Sequence, residues 1–189
     1  MKNLAITGTA RKELGKKAAK AERKANLIPC GLYGNGENTN FTVSEGELRK
    51  LIYTPDIYLV ELSIDGKKAN AVLKDAQFHP VKDTILHVDF YQVSEDKPIV
   101  MEVPVKLEGL AEGVKAGGKL NQAMRKMKVK GLYNNIPEIL TVNIESLGLG
   151  KAIQVGSLSF DNLEIISPKN AIVAVVKATR AAKNAAADK

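Results

Sequence analysis

The sequence predicts a mainly β (α+β) fold: an N-terminal β-barrel with short helices, followed by a second, all-β domain. Short segments that alternate apolar and polar side chains recur through the first half, where only two stretches have helical composition. After the charged segment "SEDKP", 94 to 98, strand-like segments continue without a long helical period. We therefore expect domains at 1–94 and 95–179, and a flexible Ala- and Lys-rich tail at 180–189.

The first predicted elements lead from a strand through a helix into two more strands. "NLAITG" alternates as a strand does, and "GKKAAKAERKAN" has the Ala, Lys and Glu content of a helix, which Pro29 should end. "CGLYG" and "NFTVS" are strands on either side of a turn-rich segment. Ser44 and Glu47 have the spacing of a capping box, so a helix should begin there and stop before Pro55.

A hairpin and one further strand complete the predicted barrel. "IYLVELSI" and "KKANAVLKDAQF" flank Asp65 and Gly66, a dipeptide that accepts the positive φ angles of a tight turn. The strand "TILHVDFYQV" brings the set to about six strands and two short helices, enough for a partly closed barrel.

Alternation along this last strand divides its side chains between two faces. The face that should point into the core comprises Leu86, Val88 and Phe90. The opposite face comprises Ile85, His87, Asp89 and Tyr91. His87 and Asp89 should therefore project together from the outside of the barrel.

Five segments give the second domain its predicted all-β character. They are "IVMEVPVKLEG", "AMRKMKVKGLY", "EILTVNI", "LEIIS" and "NAIVAVVKA". Glycine-rich or polar connections separate them.

Apolar content and cysteine usage indicate the class of protein. The longest apolar runs, such as "AIVAVV" at 171 to 176, fall far short of the roughly 20 residues that span a bilayer. The N-terminus lacks a signal-peptide core, so we expect a cytoplasmic protein without membrane contact. Cys30 is the single cysteine, which excludes an internal disulfide and favours a packing role over a nucleophilic one.

Two histidines and nearby aspartates raise the question of catalysis. His79 and His87 lack a helical His-x3-His spacing and any cysteine partner, so a metal site with three or four ligands is disfavoured. No glycine-flanked nucleophile is present either. We therefore expect no enzyme activity, no cofactor or metal and no small-molecule substrate. A metal-dependent hydrolase is the remote alternative, and recognition of a nucleic acid through imidazole and carboxylate groups is favoured.

Positive charge concentrates near the N-terminus, where the first 34 residues contain eight Lys or Arg and two Glu. A segment of this kind favours binding to a phosphate backbone over a merely solvated face. Tyr33 follows it and could stack on a base, line the barrel, or do both. A second basic cluster, at 125 to 130, is equally compatible with an auxiliary RNA contact and with a soluble strand face.

These residues resemble a known family. "RKELGKKAAKAERKANLIPCGLYG" and "VLKDAQFHPVKDTILHVDFYQV" are similar to the bacterial large-subunit ribosomal proteins that bind 5S ribosomal RNA. "EVPVKLEG", "GVKAGGKL" and "IPEILTVNI" resemble the extra domain of that family's long form, the general stress protein CTC type. The resemblance covers the chain to about residue 178.

The resemblance implies a structural constituent of the large ribosomal subunit, whose N-terminal barrel docks on 5S ribosomal RNA and takes part in translation. The second domain would contact neighbouring ribosomal proteins or ribosomal RNA. A stress-related binder of other structured RNA remains an alternative. The implied RNA-binding residues are Arg11, Lys16, Lys20, Arg23, Lys24, Tyr33, Gln77, His87 and Asp89.

Overall fold

The computed structural model describes residues 1–34 and 36–179. The chain divides into two compact units, Met1–Lys97 and Pro98–Lys189. This division falls three residues beyond the predicted boundary at residue 94. The predicted flexible tail at 180–189 lies outside the described residues.

The first unit is a six-stranded closed barrel with two short helices, which confirms the predicted fold class and closes the barrel more completely than expected. The strand order around the barrel is β1-β3-β2-β6-β5-β4. Its elements are β1 (Lys2–Ala10), α1 (Lys16–Lys24), β2 (Leu27–Tyr33), β3 (Thr39–Ser44), α2 (Glu45–Ile52), β4 (Tyr58–Ile64), β5 (Lys67–Phe78) and β6 (Ile85–Gln92).

Two parallel pairings, β1 with β4 and β2 with β6, close the barrel, and the other neighbours are antiparallel. Asp65 and Gly66 form the predicted hairpin turn with φ angles of 46° and 86°. Inside, the rings of Phe41 and Phe90 lie 5.8 Å apart, and neither side chain is exposed. Burial of each such aliphatic or aromatic side chain stabilises the fold by about 1.5–3 kcal/mol.

The end of α1 differs from the prediction. The helix ends at Lys24, so the expectation that Pro29 ends it is wrong. Asn26 has a φ of 58° and turns the chain into β2, which contains Pro29. A proline is tolerated there because β2 pairs with β6 only from Cys30 onward, and no N–H is required on that side before it.

The predicted start of α2 at Ser44 is confirmed, but the predicted capping box does not form. Ser44 occupies the N-cap position of α2, but its side chain makes no capping hydrogen bond. Glu47 accepts a hydrogen bond at Oε2 from the backbone N–H of Thr7, at 3.3 Å. This carboxylate therefore tethers α2 to β1 instead of to its own N-terminus.

The two faces of β6 agree with the prediction over most of the strand. Val88 and Phe90 are fully buried, whereas Asp89 and its outward neighbours are half-buried. The prediction is wrong for the first two residues, because Ile85 is buried and Leu86 is partly exposed.

A β-bulge explains this reversal. His87 pairs with Gln77 and Ile85 pairs with the next residue, Phe78, so Leu86 is an additional residue on β6 without a partner on β5. An extra residue of this kind shifts the alternation by one position. Sequence periodicity alone does not reveal it, because the bulge depends on how the two strands align.

The second unit contains a four-stranded sheet of order β10-β7-β9-β12 and a three-stranded sheet of order β11-β13-β8. Val103, Met127, Val129 and Val173 are fully buried in it. Two short strands, β8 and β11, were not among the predicted segments. Its elements are β7 (Ile99–Glu108), α3 (Glu112–Lys115), β8 (Lys119–Gln122), β9 (Lys126–Gly131), β10 (Leu140–Asn143), β11 (Ala152–Gln154), β12 (Glu164–Ile165) and β13 (Ile172–Lys177).

No helix within residues 1–34 and 36–179 is both long and apolar enough to cross a membrane.

Candidate nucleic-acid interface

Three neighbouring strands of the barrel bring the predicted polar side chains together. The parallel pairing of β2 with β6 sets Tyr33 opposite Tyr91, and the antiparallel pairing of β5 with β6 sets Gln77 opposite His87. Asp89 lies between the two pairs and faces outward as well. We call this outward side of β2, β6 and β5 the barrel face.

His87 and Asp89 form a polar pair at the centre of the barrel face. The distance from Nδ1 of His87 to Oδ1 of Asp89 is 3.4 Å, and the two side chains are 30% and 26% exposed. Gly31 on β2 leaves room for them: a Cβ there would lie 3.3 Å from Oδ1 of Asp89 and 3.8 Å from Cε1 of His87. The pair is thus ordered by its surroundings but still accessible to a ligand.

Tyr33 adds an aromatic ring and a hydroxyl to the barrel face. Its ring meets that of Tyr91 edge to face, with centroids 5.8 Å apart and an interplanar angle of 77°. Burial, followed by the carboxylates of Asp89 and Asp75, raises the pKa of Tyr33. The phenol therefore keeps its proton at neutral pH and can donate a hydrogen bond to a ribose or phosphate oxygen.

Helix α1 presents lysines on one exposed side. At 100° per residue these side chains lie within an arc of about 100°, so they form a single row along the helix. We call the row the lysine stripe: Lys16, Lys17, Lys20 and Lys24. Within the described part of the chain, no carboxylate lies within ion-pairing distance of any of them. The stripe is therefore available to neutralise several phosphates.

Arg23 connects the lysine stripe to the barrel face. Its Nε donates a hydrogen bond of 3.0 Å to the backbone carbonyl of Leu86, the bulged residue that immediately precedes His87. Leu86 has no register partner on β5, and its carbonyl accepts the hydrogen bond from the guanidinium. This hydrogen bond anchors α1, which contains the stripe, to β6, the strand that contributes the polar pair.

Arg11, also predicted to contact RNA, lies in a different environment. Its Nε donates a hydrogen bond of 2.9 Å to Oε1 of Glu22, and its side chain is only 9% exposed. Most of the guanidinium thus faces the protein instead of solvent.

His79 lies in the loop between β5 and β6 and shapes that loop. Its Nδ1 accepts hydrogen bonds of 3.2 Å from the backbone N–H groups of Val81 and Lys82. Its carbonyl accepts a third, of 3.0 Å, from the N–H of Asp83. His79 is not among the implied RNA-binding residues, and these contacts are internal to the loop.

Other chemistry finds little support in this unit. Cys30 is fully buried, and burial raises the pKa of its thiol to about 12, so a reactive thiolate does not form at neutral pH. The described residues include no group of three or more His, Cys, Asp or Glu side chains placed to hold a metal ion.

The second basic cluster lies on the outward side of β9 in the second unit. Lys128 is 3.6 Å from Glu102 on β7, and Lys130 is 3.0 Å from Glu164 on β12. Cross-strand ion pairs of this kind are typical of a solvated sheet face. Of the two interpretations that the sequence left open, the geometry favours the soluble face.

Three members of the barrel face were not among the predicted site residues: Gly31, Asp75 and Tyr91. Tyr91 had been placed on the outward side of β6, and its aromatic character was the available signal. Gly31 and Asp75 reach the site only through strand pairing, with Asp75 opposite Asp89 and Gly31 beside it. No local pattern in the sequence predicts contacts of this kind between strands.

Comparisons with known proteins identify the family. The Ribosomal L25p family model matches residues 6–90, and the C-terminal domain of ribosomal protein TL5 matches residues 98–180. The large ribosomal subunit protein bL25 of Bacteroides thetaiotaomicron is 63% identical over 192 residues, covering 99% of this chain and 98% of that protein. The bL25 proteins of Bacteroides fragilis and Porphyromonas gingivalis are 60% and 57% identical, covering 99% and 100% of this chain and 98% and 100% of their own. The chain therefore belongs to the ribosomal L25p family, in the form that has a TL5-type C-terminal domain.

Proposed function

We propose that the chain is a structural, non-enzymatic constituent of the large ribosomal subunit that binds 5S ribosomal RNA through its barrel. The names of its full-length relatives support the ribosomal role, participation in translation and a place on the cytoplasmic ribosome. The 5S specificity is the finer part of the proposal, and it rests on the lysine stripe and the barrel face.

The observation that carries the proposal is the hydrogen bond from Arg23 to the carbonyl of Leu86. It attaches α1, which has a row of unpaired lysines, to the strand that contributes His87 and Asp89. A row of positive charge binds any phosphate backbone, whereas adjacent hydrogen-bonding groups can distinguish one RNA shape from another. A structure-specific RNA contact requires both, and the first unit contains both.

The roles follow from the chemistry of each side chain. Lys16, Lys20 and Lys24 follow one another at four-residue intervals, about 6 Å apart, and contact successive phosphates along one strand. Arg23 contributes charge at the junction with the barrel while it holds α1 in place.

The barrel face reads the RNA surface between those phosphates. The shallow minor groove of an RNA helix displays ribose 2′-hydroxyls and base edges, which suit the imidazole of His87 and the carboxylate of Asp89. Gln77 contributes an amide beside them, and Tyr33 donates a hydrogen bond from its hydroxyl or stacks on an exposed base. A barrel surface fits this groove better than an inserted helix.

The second unit contacts ribosomal neighbours, either proteins or ribosomal RNA. On its β7 and β9 face Lys128 and Lys130 are ion-paired, which reduces the positive charge available there for nonspecific RNA binding. We therefore assign the 5S contact to the first unit alone.

The direct test compares affinities for 5S ribosomal RNA and for an unrelated hairpin of similar length across a salt series. We expect tighter binding to 5S RNA at physiological salt, and a decrease in log affinity with log salt at a slope of roughly −4 to −6 for four to seven neutralised phosphates. Equal affinities for the two RNAs would reject the specific interpretation and favour a general binder of structured RNA, including one that acts under stress. Stoichiometric zinc or manganese in the purified protein would instead reopen the metal-dependent hydrolase alternative.

A further inference from the structure

We infer that Glu22, an acid within the basic segment, strengthens RNA binding by holding α1 in place through Arg11. The inference rests on the proposed RNA-binding function and assigns two positioning residues to it. Neither needs to touch the RNA, because both act through the orientation of the lysine stripe.

Arg11 is anchored to the barrel at its backbone and to the helix at its side chain. Its N–H donates a hydrogen bond of 3.0 Å to the carbonyl of Asn40, next to the pairing of β1 with β3. Its Nε donates one of 2.9 Å to Oε1 of Glu22, in the second half of α1. A single side chain thus spans from the end of β1 to the helix.

Helix α1 packs on β2, but none of its residues is buried, and its N-cap, Gly15, provides no side-chain hydrogen bond. A nine-residue helix is marginal by itself in water, so tertiary contacts decide whether it stays formed. The hydrogen bonds from Arg11 to Glu22 and from Arg23 to Leu86 are the side-chain links from α1 to its surroundings within the described residues.

The pair is also placed so that it orients the stripe. Glu22 lies on the side of α1 opposite Lys17 and Lys20, toward Ala18 and Ala19, which are half-buried. Attraction between Glu22 and Arg11 therefore pulls the lysine-free side toward the barrel and directs the lysines to solvent.

Burial of the pair limits its direct use by RNA. Nη2 of Arg11 and Oε2 of Glu22 are both buried, and neither has a hydrogen-bond partner among the described residues. Only 9% of the Arg11 side chain is exposed, which leaves a phosphate little of the guanidinium to bind. Its contribution to RNA binding is therefore transmitted through α1.

The direction in which RNA affinity changes when an acid is neutralised distinguishes this positioning role from a purely electrostatic effect. Removal of an acid from a basic segment should tighten binding to a polyanion if the charge alone matters. Removal of the acid that positions the stripe should weaken it. Glu13 provides a matched control, because it lies in the same segment, is exposed, and has no ion-pair partner among the residues that the structure describes.

The experiment measures 5S RNA affinity for the full chain and for Glu22→Gln and Glu13→Gln variants. We expect Glu22→Gln to bind about fivefold more weakly, within the range of coupling between contacting residues, while Glu13→Gln binds as tightly as the parent or slightly more tightly. The salt slope of Glu22→Gln should stay unchanged, because no phosphate contact is removed outright. Tighter binding by both variants would overturn the inference.

Two further readouts keep the result independent of overall stability. Amide hydrogen exchange within 16–24 should accelerate in Glu22→Gln while the barrel strands remain protected, and unchanged exchange in α1 would overturn the inference.

The double variant Arg11→Glu with Glu22→Arg exchanges the two charges and restores their attraction, so it should recover binding relative to Arg11→Glu alone. No recovery would mean that Arg11 contacts the RNA itself. If the unmodified chain fails to prefer 5S RNA, the proposed function fails, whereas the exchange measurement still tests the link.

Discussion

The lysine stripe of α1 and the lysine row of β9 are both rich in lysine, but their surroundings differ. On β9, Lys128 and Lys130 face Glu102 and Glu164 on the neighbouring strands. On α1, no carboxylate of the described residues pairs with the lysines, and the one acid of the helix is turned toward Arg11. A run of basic residues is thus available to bind a polyanion only where neighbouring elements leave it unpaired. Tertiary pairing decides this, not the spacing of lysines along the chain.

Neutralising each row separately gives the largest expected effect. The triple variant Lys16→Gln, Lys20→Gln and Lys24→Gln should weaken 5S RNA binding on the order of 100-fold at moderate salt, and should lower the magnitude of the salt slope by about 2 to 3, because three phosphate contacts are lost. Binding is measured by a filter or fluorescence titration at several salt concentrations.

The control carries the corresponding substitutions on β9: Lys126→Gln, Lys128→Gln and Lys130→Gln. Its affinity should stay within about twofold of the parent, since Lys128 and Lys130 are ion-paired and contribute little free charge, which leaves Lys126 as the one lysine of the three without a carboxylate partner among the described residues. An equal loss in both triple variants would remove the contrast between the two rows and extend the RNA surface to the second unit.

The cores of the two units also differ, because only the barrel contains a cysteine. Burial raises the pKa of Cys30 from 9.0 to about 12, so the unfolded chain releases this proton near pH 9 while the folded barrel retains it. The contribution is complete below pH 9 and is lost as pH rises toward 12. Barrel stability should therefore fall by about 1.4 kcal/mol per pH unit in that window, or about 2 kcal/mol by pH 10.5.

Urea unfolding between pH 8 and 11 checks this effect in the parent and in Cys30→Ala. The variant loses some packing at every pH, but its free energy of unfolding should decline less steeply above pH 9. Parallel curves for the two proteins would show that the thiol is not responsible for the decline.

The polar pair of the barrel face and the histidine of the adjacent loop provide a comparison within the first unit. Replacement of His87 or Asp89 by Ala should weaken 5S RNA binding by about 1–3 kcal/mol without unfolding the barrel, because each loses hydrogen bonds to RNA and leaves the core intact. His79→Ala should disturb the loop and leave RNA affinity nearly unchanged. Thermal unfolding of each variant accompanies the binding assay. An unfolded barrel in His87→Ala would show that His87 stabilises the fold and is not only an RNA contact.

Much of this architecture was predictable because it depends on local patterns. Alternation predicted the barrel strands, the Asp65 and Gly66 pair predicted the hairpin, and the Ala, Lys and Glu content predicted α1. The sequence could not show that Leu86 is bulged, because a bulge depends on the register of β5 against β6. Nor could it show that Arg11 turns inward, since its partner Glu22 approaches only after the helix packs on the barrel.

The same distinction applies to the candidate site. The family resemblance, together with strand alternation that places His87 and Asp89 on the outward side of β6, predicted the polar pair from the sequence. Gly31 and Asp75 join it through pairings between strands far apart in sequence. For the 125–130 cluster, the sequence could not distinguish an RNA contact from a soluble strand face, because the carboxylates that pair with its lysines lie on other strands.

The smallest predicted effect tests whether the barrel face, unlike the salt-bridged face of β9, depends on precise shape. In Gly31→Ala the new Cβ would lie 3.3 Å from Oδ1 of Asp89, a distance tighter than most real contacts, so the carboxylate must shift away. We expect about a threefold loss of 5S RNA affinity, or ~0.7 kcal/mol, because the shift disturbs the pairing of Asp89 with His87. Gly46→Ala on α2 is the control, since its Cβ meets no atom within 4 Å and alanine favours a helix. It should leave affinity unchanged and raise stability slightly, so an equal affinity loss in both variants would trace the Gly31 effect to general backbone stiffening and not to the shape of the face.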